Sequence, residues 1–159
     1  MNKTFLLLGS NMGNSLAQLT TAIHHIEQNT GKLTGQSGLY LTAAWGNTNQ
    51  PDFLNQVVVV ETTLTAAETL HSILKIEKMM GRVRTVKNAP RIIDIDILFF
   101  NNEIIQQNDL VIPHPEIQNR RFVLIPLNEI APGLKHPVLG KTIRQLLAEC
   151  PDQLVVKKF

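Results

Sequence analysis

The sequence has 159 residues, of which 43% are hydrophobic and 18% are charged, and its formal net charge is +2. This size and composition predict one folded domain over residues 1–159 and argue against an intrinsically disordered chain. The small net charge disfavours a nucleic-acid partner, and no apolar run is long enough for a signal segment or a membrane span. The lone cysteine, Cys150, can form no intramolecular disulfide, so we expect a cytoplasmic protein.

The first half of the chain alternates apolar runs typical of strands with apolar residues at helical spacing. The clearest helix begins near Ser15, where apolar residues recur every three or four positions. Thr65 and Glu68 have the spacing of a capping box and open a second helix. The predicted elements are a strand at 5–8, a helix from about residue 15 to Gly31, an extended segment at 32–45, a polar loop at 46–51, a strand at 53–64 and a helix from Thr65 to Gly81.

The second half of the sequence also predicts both strands and helices. After a basic loop we expect a strongly apolar strand, then a hairpin through Asn101 and Asn102. The predicted elements are a loop at 82–90, a strand at 92–100, a weaker extended segment at 104–112, a short helical stretch at 128–130 and a helix at 143–150 that ends before Pro151. The order favours an α+β fold of ferredoxin-like type, with a mostly antiparallel sheet flanked by helices.

Two aspartates alternate with isoleucines in the segment Ile93–Ile97. In a strand, Asp94 and Asp96 share one face, roughly 6–7 Å apart. The alternative is an amphipathic strand with a solvated polar face. Aspartate is a poor strand former, however, and two adjacent carboxylates repel unless a cation lies between them. We therefore favour a metal site, and oxygen ligands without histidine or cysteine indicate Mg²⁺ shared with substrate phosphates.

Arginines lie close to this carboxylate pair. If the segment after Gly81 is extended, Arg82 and Arg84 point the same way, and guanidinium groups suit bidentate phosphate contacts. A solvated basic loop is the alternative. Metal-binding carboxylates beside arginines are what phosphoryl transfer requires. Glu77, at the edge of the preceding helix's apolar stripe, adds to this set; a salt bridge to Arg82 or Lys78 is the alternative.

Other polar features are ambiguous. The turn at Gly9, Ser10 and Asn11 matches no Walker or dinucleotide-binding motif, although a strand, a turn and a helix can hold an anion. His114 lies between two prolines, where it either contacts phosphate or caps local backbone. Two rival functions stay open: another metal enzyme such as a nuclease, and a small-molecule-binding regulatory domain without catalysis.

Taken together, these motifs resemble a known family. They are Leu8-Gly9-Ser10-Asn11, Pro51-Asp52-Phe53-Leu54-Asn55, Glu77 with Gly81-Arg82-Val83-Arg84, Pro90-Arg91 with Asp94, Asp96 and Leu98, and Pro113-His114 with Asn119, Arg120 and Phe122. The sequence resembles the 6-hydroxymethyl-7,8-dihydropterin pyrophosphokinases of folate biosynthesis. The resemblance implies attack of the pterin hydroxymethyl oxygen on the β-phosphorus of ATP, release of AMP, and two Mg²⁺ ions on Asp94 and Asp96.

The resemblance also implies the remaining site residues and partners. The catalytic group would be Arg82, Arg84, Arg91, Asp94 and Asp96. The pterin would lie between Phe53 and Phe122, with Thr42, Ala44, Trp45 and Asn55 around it. The nucleotide would face Glu77, Arg82, Arg84, His114 and Arg120. We expect a monomer that acts on ATP and hydroxymethyldihydropterin, with no nucleic-acid or membrane partner.

Overall fold

A computed structural model describes residues 1–43, 49–83 and 90–159. The helices of this structure are α1 (Ser15–Asn29), α2 (Ala66–Met79), α3 (Arg121–Ile130) and α4 (Ile143–Glu149), with a short 3-10 helix at Ile117–Asn119. The strands are β1 (Asn2–Ser10), β2 (Lys32–Gln36), β3 (Tyr40–Thr42), β4 (Phe53–Thr62), β5 (Asp94–Phe100), β6 (Ile105–Gln106), β7 (Val111–Ile112) and β8 (Val156–Lys158). None of the helices in the described ranges is long and apolar enough to cross a membrane.

One antiparallel sheet organises the chain. Its strands follow the order β5-β1-β4-β3-β8, and β2 also pairs with β4, while β6 and β7 form a separate hairpin. Every pairing in the large sheet is antiparallel. This sheet with flanking helices confirms the predicted α+β fold class, and the ferredoxin-like type is consistent with it.

The two faces of the sheet are covered by different helices. Side chains alternate along a strand, so Leu6 and Leu8 face one side of β1 and Phe5 and Leu7 face the other. The first face packs against α1 and α2, and the second packs against α3 and α4. β4 is buried along nearly its whole length, as its run of valines predicted. Helices on both sides therefore enclose the central strands.

The starts of the helices follow from short polar motifs. Thr65 and Glu68 form the predicted capping box: Glu68 N–H donates to Thr65 Oγ1 at 3.2 Å, and Thr65 N–H donates to Glu68 Oε1 at 2.9 Å. The side chain of Asn14 accepts from Ala17 N–H and caps α1. By contrast Arg120, the N-cap residue of α3, makes no side-chain cap hydrogen bond.

Several predicted elements were wrong or incomplete. The helical stretch predicted at 128–130 is only the last turn of α3, because Pro126 lies inside the helix and obscures its pattern. The extended segment at 32–45 contains two strands, β2 and β3, separated by residues 37–39. β5 begins at Asp94 rather than at residue 92. β8 was not predicted, because a three-residue strand carries almost no periodic signal.

Candidate active site

Three neighbouring strands place polar groups side by side on the face of the sheet that α3 covers. Gly9 of β1 pairs with Asp94 of β5 on one side and with Asn55 of β4 on the other. A Cβ atom on Gly9 would lie 2.7 Å from Asn55 Oδ1, so only glycine admits this amide above the strand. The backbone of β1 thus forms the floor between a carboxylate and an amide.

A cavity opens above this floor. Its walls combine carboxylates, guanidinium groups, aromatic rings and an amide, and the lining residues are Leu7, Gly9, Thr42, Ala43, Phe53, Asn55, Arg91, Asp94, Asp96, Arg120 and Phe122. β5, β1, β4 and β3 supply the sheet side, and the start of α3 supplies Arg120 and Phe122. Such a cavity can hold a flat ring and an anionic group at the same time.

Asp94 is held by two arginines. Its Oδ1 accepts a hydrogen bond from Arg82 Nη1 at 2.7 Å, and its Oδ2 accepts one from Arg91 Nη1 at 2.8 Å. Arg82 Nη1 also donates to Glu77 Oε2 at 2.7 Å. Burial alone would lower the pKa of Arg82, but the charges of Asp94 and Glu77 raise it, so Arg82 stays cationic. The carboxylate of Asp94 is thereby fixed in position.

Glu77 supports the same strand from below. Only 2% of the residue is exposed, and its Oε2 also accepts a hydrogen bond from Ile95 N–H at 2.7 Å. Ile95 lies between the two aspartates, so Glu77 holds the backbone from which both project. Of the alternatives that the sequence left open for Glu77, the salt bridge to Arg82 is the one observed.

Asp96 lies next to this network without joining it. Within the described ranges it has no ion-pair partner, and Leu7 lies opposite it on β1. Burial, followed by the charges of Asp94 and Glu77, raises the pKa of Asp96 to about 7 against the opposing charges of Arg120 and Arg82. A cation beside Asp96 would relieve this unfavourable burial of charge.

The donor set fits a magnesium ion that shares its coordination with substrate. Asp94 and Asp96 provide carboxylate oxygens on one face of β5, as the strand period predicted. No group of three or more metal-ligating side chains occurs among the residues that the structure describes. Two carboxylates suit Mg²⁺, which keeps several waters and takes its other ligands from phosphates.

Two half-buried phenylalanines line the opposite part of the cavity. Phe53 begins β4 and lies opposite Thr42 of β3, and Phe122 lies in the first turn of α3. Within the described residues, the buried Asn55 Nδ2 and Thr42 Oγ1 have no hydrogen-bond partner in the protein. An unpartnered buried donor is costly, so both groups are suited to a ligand that presents polar atoms at its edge.

Asn11 joins three segments at the edge of the cavity, a role that its place in the sequence motif did not reveal. Its Oδ1 accepts a hydrogen bond from Arg91 N–H at 2.8 Å, and its Nδ2 donates to Gln50 Oε1 and Pro51 O. Its own N–H donates to Arg91 O at 3.1 Å. The buried Asn11 therefore fixes the backbone of Arg91 beside Asp94, a contact across 80 residues that no local pattern encodes.

His114 has a defined hydrogen-bonding state. Its Nδ1 accepts a hydrogen bond from Glu116 N–H at 3.1 Å, so the neutral ring carries its proton on Nε2. Burial lowers the pKa of His114, and the charge of Arg120 lowers it further against Glu116 and Asp94. Local backbone capping, one of the two alternatives from the sequence, is therefore present, and Nε2–H is left as a donor.

The structure brings most of the predicted residues together. Eight of them line the cavity: Thr42, Phe53, Asn55, Arg91, Asp94, Asp96, Arg120 and Phe122. Arg82 and Glu77 lie behind Asp94, in contact with it or with its strand. Ala44, Trp45 and Arg84 lie outside the described residues, so their predicted roles stay predictions.

The chain is similar to known proteins over most of its length. The model of the family described as 7,8-dihydro-6-hydroxymethylpterin-pyrophosphokinase (HPPK) matches residues 5–132. A 2-amino-4-hydroxy-6-hydroxymethyldihydropteridine pyrophosphokinase of Methylorubrum extorquens is 41% identical over 150 residues, which cover 94% of each chain. The protein of the same name from Aquifex aeolicus is 38% identical over 149 residues, covering 94% of this chain and 92% of the relative.

Solved structures agree on the fold. The crystal structure of wild-type Plasmodium falciparum HPPK-DHPS with SDX-DHP superposes with a TM-score of 0.76 at 24% identity over 94% of this chain. This chain spans 43% of that longer protein. The likeness at this identity supports the α+β architecture alone.

Proposed function

The chain belongs to the 7,8-dihydro-6-hydroxymethylpterin-pyrophosphokinase family, and from this premise we propose that it transfers pyrophosphate from ATP to 6-hydroxymethyl-7,8-dihydropterin in a Mg²⁺-dependent reaction. Family membership makes it an enzyme with pyrophosphokinase activity in folate biosynthesis. The main support for ATP and the pterin as substrates is that one cavity contains both kinds of group. A carboxylate pair and guanidinium groups lie opposite two phenylalanines and the unpartnered amide of Asn55.

The pterin would occupy the aromatic side of the cavity. Phe53 and Phe122 would cover the two faces of the ring, because aromatic faces stack on flat heterocycles. Asn55 Nδ2 and Thr42 Oγ1 would satisfy their hydrogen bonds at the polar edge of the ring. Ala44 and Trp45 would complete this part of the site. The buried amide makes the site selective, since a ring without matching acceptors would leave it unpaired.

The triphosphate would occupy the charged side. Asp94 and Asp96 would hold two Mg²⁺ ions, and these ions would neutralise negative charge on the phosphate oxygens. Arg91 and Arg84 would contact the transferring phosphates, while Arg82 holds Asp94 in place and joins the catalytic group. His114, through Nε2–H, would donate to the nucleotide, and Arg120 would contact the same substrate. Glu77 would support this side of the site through its bonds to Arg82 and to Ile95 N–H.

The chemical step then needs little more than position and charge. The hydroxymethyl oxygen of the pterin forms a bond to the β-phosphorus of ATP, while the bond from that phosphorus to the oxygen bridging the α-phosphorus breaks. AMP leaves with that oxygen, and the hydroxyl proton passes to solvent. The stacked ring and the held triphosphate bring oxygen and phosphorus together, which converts a bimolecular encounter into an oriented one.

We propose the same single-domain, monomeric and cytoplasmic organisation that the sequence predicts for residues 1–159. The two hydrophobic clusters lie on opposite faces of one sheet, which supports a single folding unit. ATP and the pterin would be its only substrates, with no nucleic-acid or membrane partner.

Product identity tests the proposed function. The protein is incubated with ATP, Mg²⁺ and 6-hydroxymethyl-7,8-dihydropterin, and the nucleotide products are separated by chromatography. We expect one AMP per pterin diphosphate formed and no AMP when the pterin is omitted. ADP as the product would make the enzyme a simple kinase, and AMP formed without pterin would make it a hydrolase; either result would overturn the proposal.

A further inference from the structure

The C-terminal segment after α4 reaches back to the wall of the cavity. Asp152 is half-buried, and its Oδ2 accepts a hydrogen bond from Arg121 N–H at 2.9 Å. Arg121 is the first residue of α3, and its neighbours Arg120 and Phe122 both line the cavity. A residue 31 positions away in sequence is thus bound to the backbone between two site residues.

This contact supplies what the helix itself lacks. The first N–H groups of a helix have no partner within it, and an N-cap side chain normally accepts from them. Arg120 at the N-cap of α3 makes no such bond. Asp152 replaces the missing cap, and its negative charge is also favourable at a helix N-terminus.

The Asp152 side chain is itself held in place. Its Oδ1 accepts a hydrogen bond from Leu154 N–H at 2.9 Å, which turns the chain toward β8. β8 then pairs with β3, and Phe159 N–H donates to Leu39 O at 2.8 Å. β3 carries Thr42, another cavity residue, so one segment contacts two separate walls of the site.

A second contact joins the same two walls at their far ends. Tyr40 of β3 donates its hydroxyl hydrogen bond to Glu129 of α3, and Glu129 also accepts from Gly38 N–H at 3.0 Å. α3 is therefore attached to β3 directly through Glu129 and indirectly through Asp152 and β8. The first attachment lies two turns away from Phe122, and only the second lies beside it.

We propose that Asp152 is a positioning residue for the pterin site: by capping α3 from the C-terminal segment it holds Phe122 and Arg120 at the angle at which they meet the substrate. This inference rests on the proposed function, because it assumes that Phe122 contacts the pterin. Loss of an N-cap side chain changes the equilibrium constant for folding about fivefold, and we expect a change of the same size in pterin affinity.

The test compares Asp152→Ala with a matched loss of a cap elsewhere. Thr142 caps α4 by accepting from Gln145 N–H at 3.2 Å and does not line the cavity, so Thr142→Ala is the control. Pterin Kd is measured by fluorescence titration with a non-hydrolysable ATP analogue present, together with pterin KM, kcat and Tm. We expect Asp152→Ala to raise pterin Kd and KM about fivefold with little change in kcat, while Thr142→Ala lowers Tm without changing Kd.

Asp152→Asn and Phe122→Ala complete the experiment. Both carboxylate oxygens of Asp152 accept backbone hydrogen bonds, whereas asparagine offers one acceptor oxygen, so Asp152→Asn should restore part of the pterin affinity. An unchanged Kd in Asp152→Ala with a Tm loss like that of Thr142→Ala would overturn the inference, as would an Asp152→Asn variant no better than Asp152→Ala. If Phe122→Ala leaves pterin Kd unchanged, both the proposed pterin site and this inference are wrong. If Phe122→Ala raises pterin Kd but Asp152→Ala does not, only the inference is wrong.

Discussion

Asp96→Asn should stabilise the metal-free protein, although it removes a carboxylate that the proposed reaction needs. Burial, together with the charges of Asp94 and Glu77, raises the pKa of Asp96 to about 7 from an ordinary 3.8. A folded state that binds the proton more tightly than the unfolded state loses stability as the pH rises between these values. At 1.36 kcal/mol per pH unit the cost approaches ~4 kcal/mol above pH 7. Because water reaches the cavity wall, we expect about 2–4 kcal/mol.

Urea unfolding of the protein in EDTA at pH 4.5 and pH 8 measures this effect. The stability difference between Asp96→Asn and the unsubstituted protein should be small at the lower pH, grow as the pH rises, and level off above pH 7. Taking the difference between two proteins at each pH cancels the other titrating groups. Asparagine cannot ionise, so the variant never acquires the cost that the aspartate carries.

Asp94→Asn is the control with the opposite sign. Asp94 accepts hydrogen bonds from Arg82 and Arg91, so loss of its charge removes the carboxylate partner of Arg91 and leaves Arg82 with Glu77 alone, which should destabilise the protein at both pH values. Saturating Mg²⁺ should stabilise the unsubstituted protein, because the ion binds the folded state, and should have little effect on Asp96→Asn. A metal-free Asp96→Asn variant that is no more stable than the unsubstituted protein at pH 8 would refute the reasoning.

Two further predictions concern the substrates. Phe53→Ala and Phe122→Ala should each weaken pterin binding by roughly 1–3 kcal/mol through lost stacking, measured by fluorescence titration, and each should cost less stability than the ~3–5 kcal/mol of a core phenylalanine truncation. Unchanged affinity with a large loss of stability would assign both rings to the core. Arg91→Ala should lower kcat more than it raises pterin KM in steady-state kinetics, because the proposed role of Arg91 is to contact the transferring phosphates. A change in pterin KM alone would place Arg91 in the other subsite.

Local periodicity predicted the parts of the site that lie on one strand. The two-residue period of a strand was enough to place Asp94 and Asp96 on one face, and both line the cavity. The valine run predicted the buried β4, and the Thr65–Glu68 spacing predicted the start of α2. These features depend only on residues close together in sequence.

The contacts between distant segments could not be predicted in this way. Nothing local marks Asn11 as the partner of Arg91, or Asp152 as the cap of α3, because each contact exists only after the sheet has formed. Pro126 obscured most of α3 for a local reason, since proline ordinarily ends a helix. The resemblance to a family supplied the pterin and nucleotide roles, which no spacing in the chain implies.

AMP formation by the two aspartate variants tests the central claim most directly. Release of AMP from ATP and 6-hydroxymethyl-7,8-dihydropterin is followed for Asp94→Asn and Asp96→Asn across a Mg²⁺ titration, with folding of each variant checked by its unfolding curve. The account predicts that both variants lose nearly all activity at every Mg²⁺ concentration, because an amide is a poor Mg²⁺ ligand, even though Asp96→Asn is the more stable protein. A near-normal rate for either folded variant at saturating Mg²⁺ would contradict it.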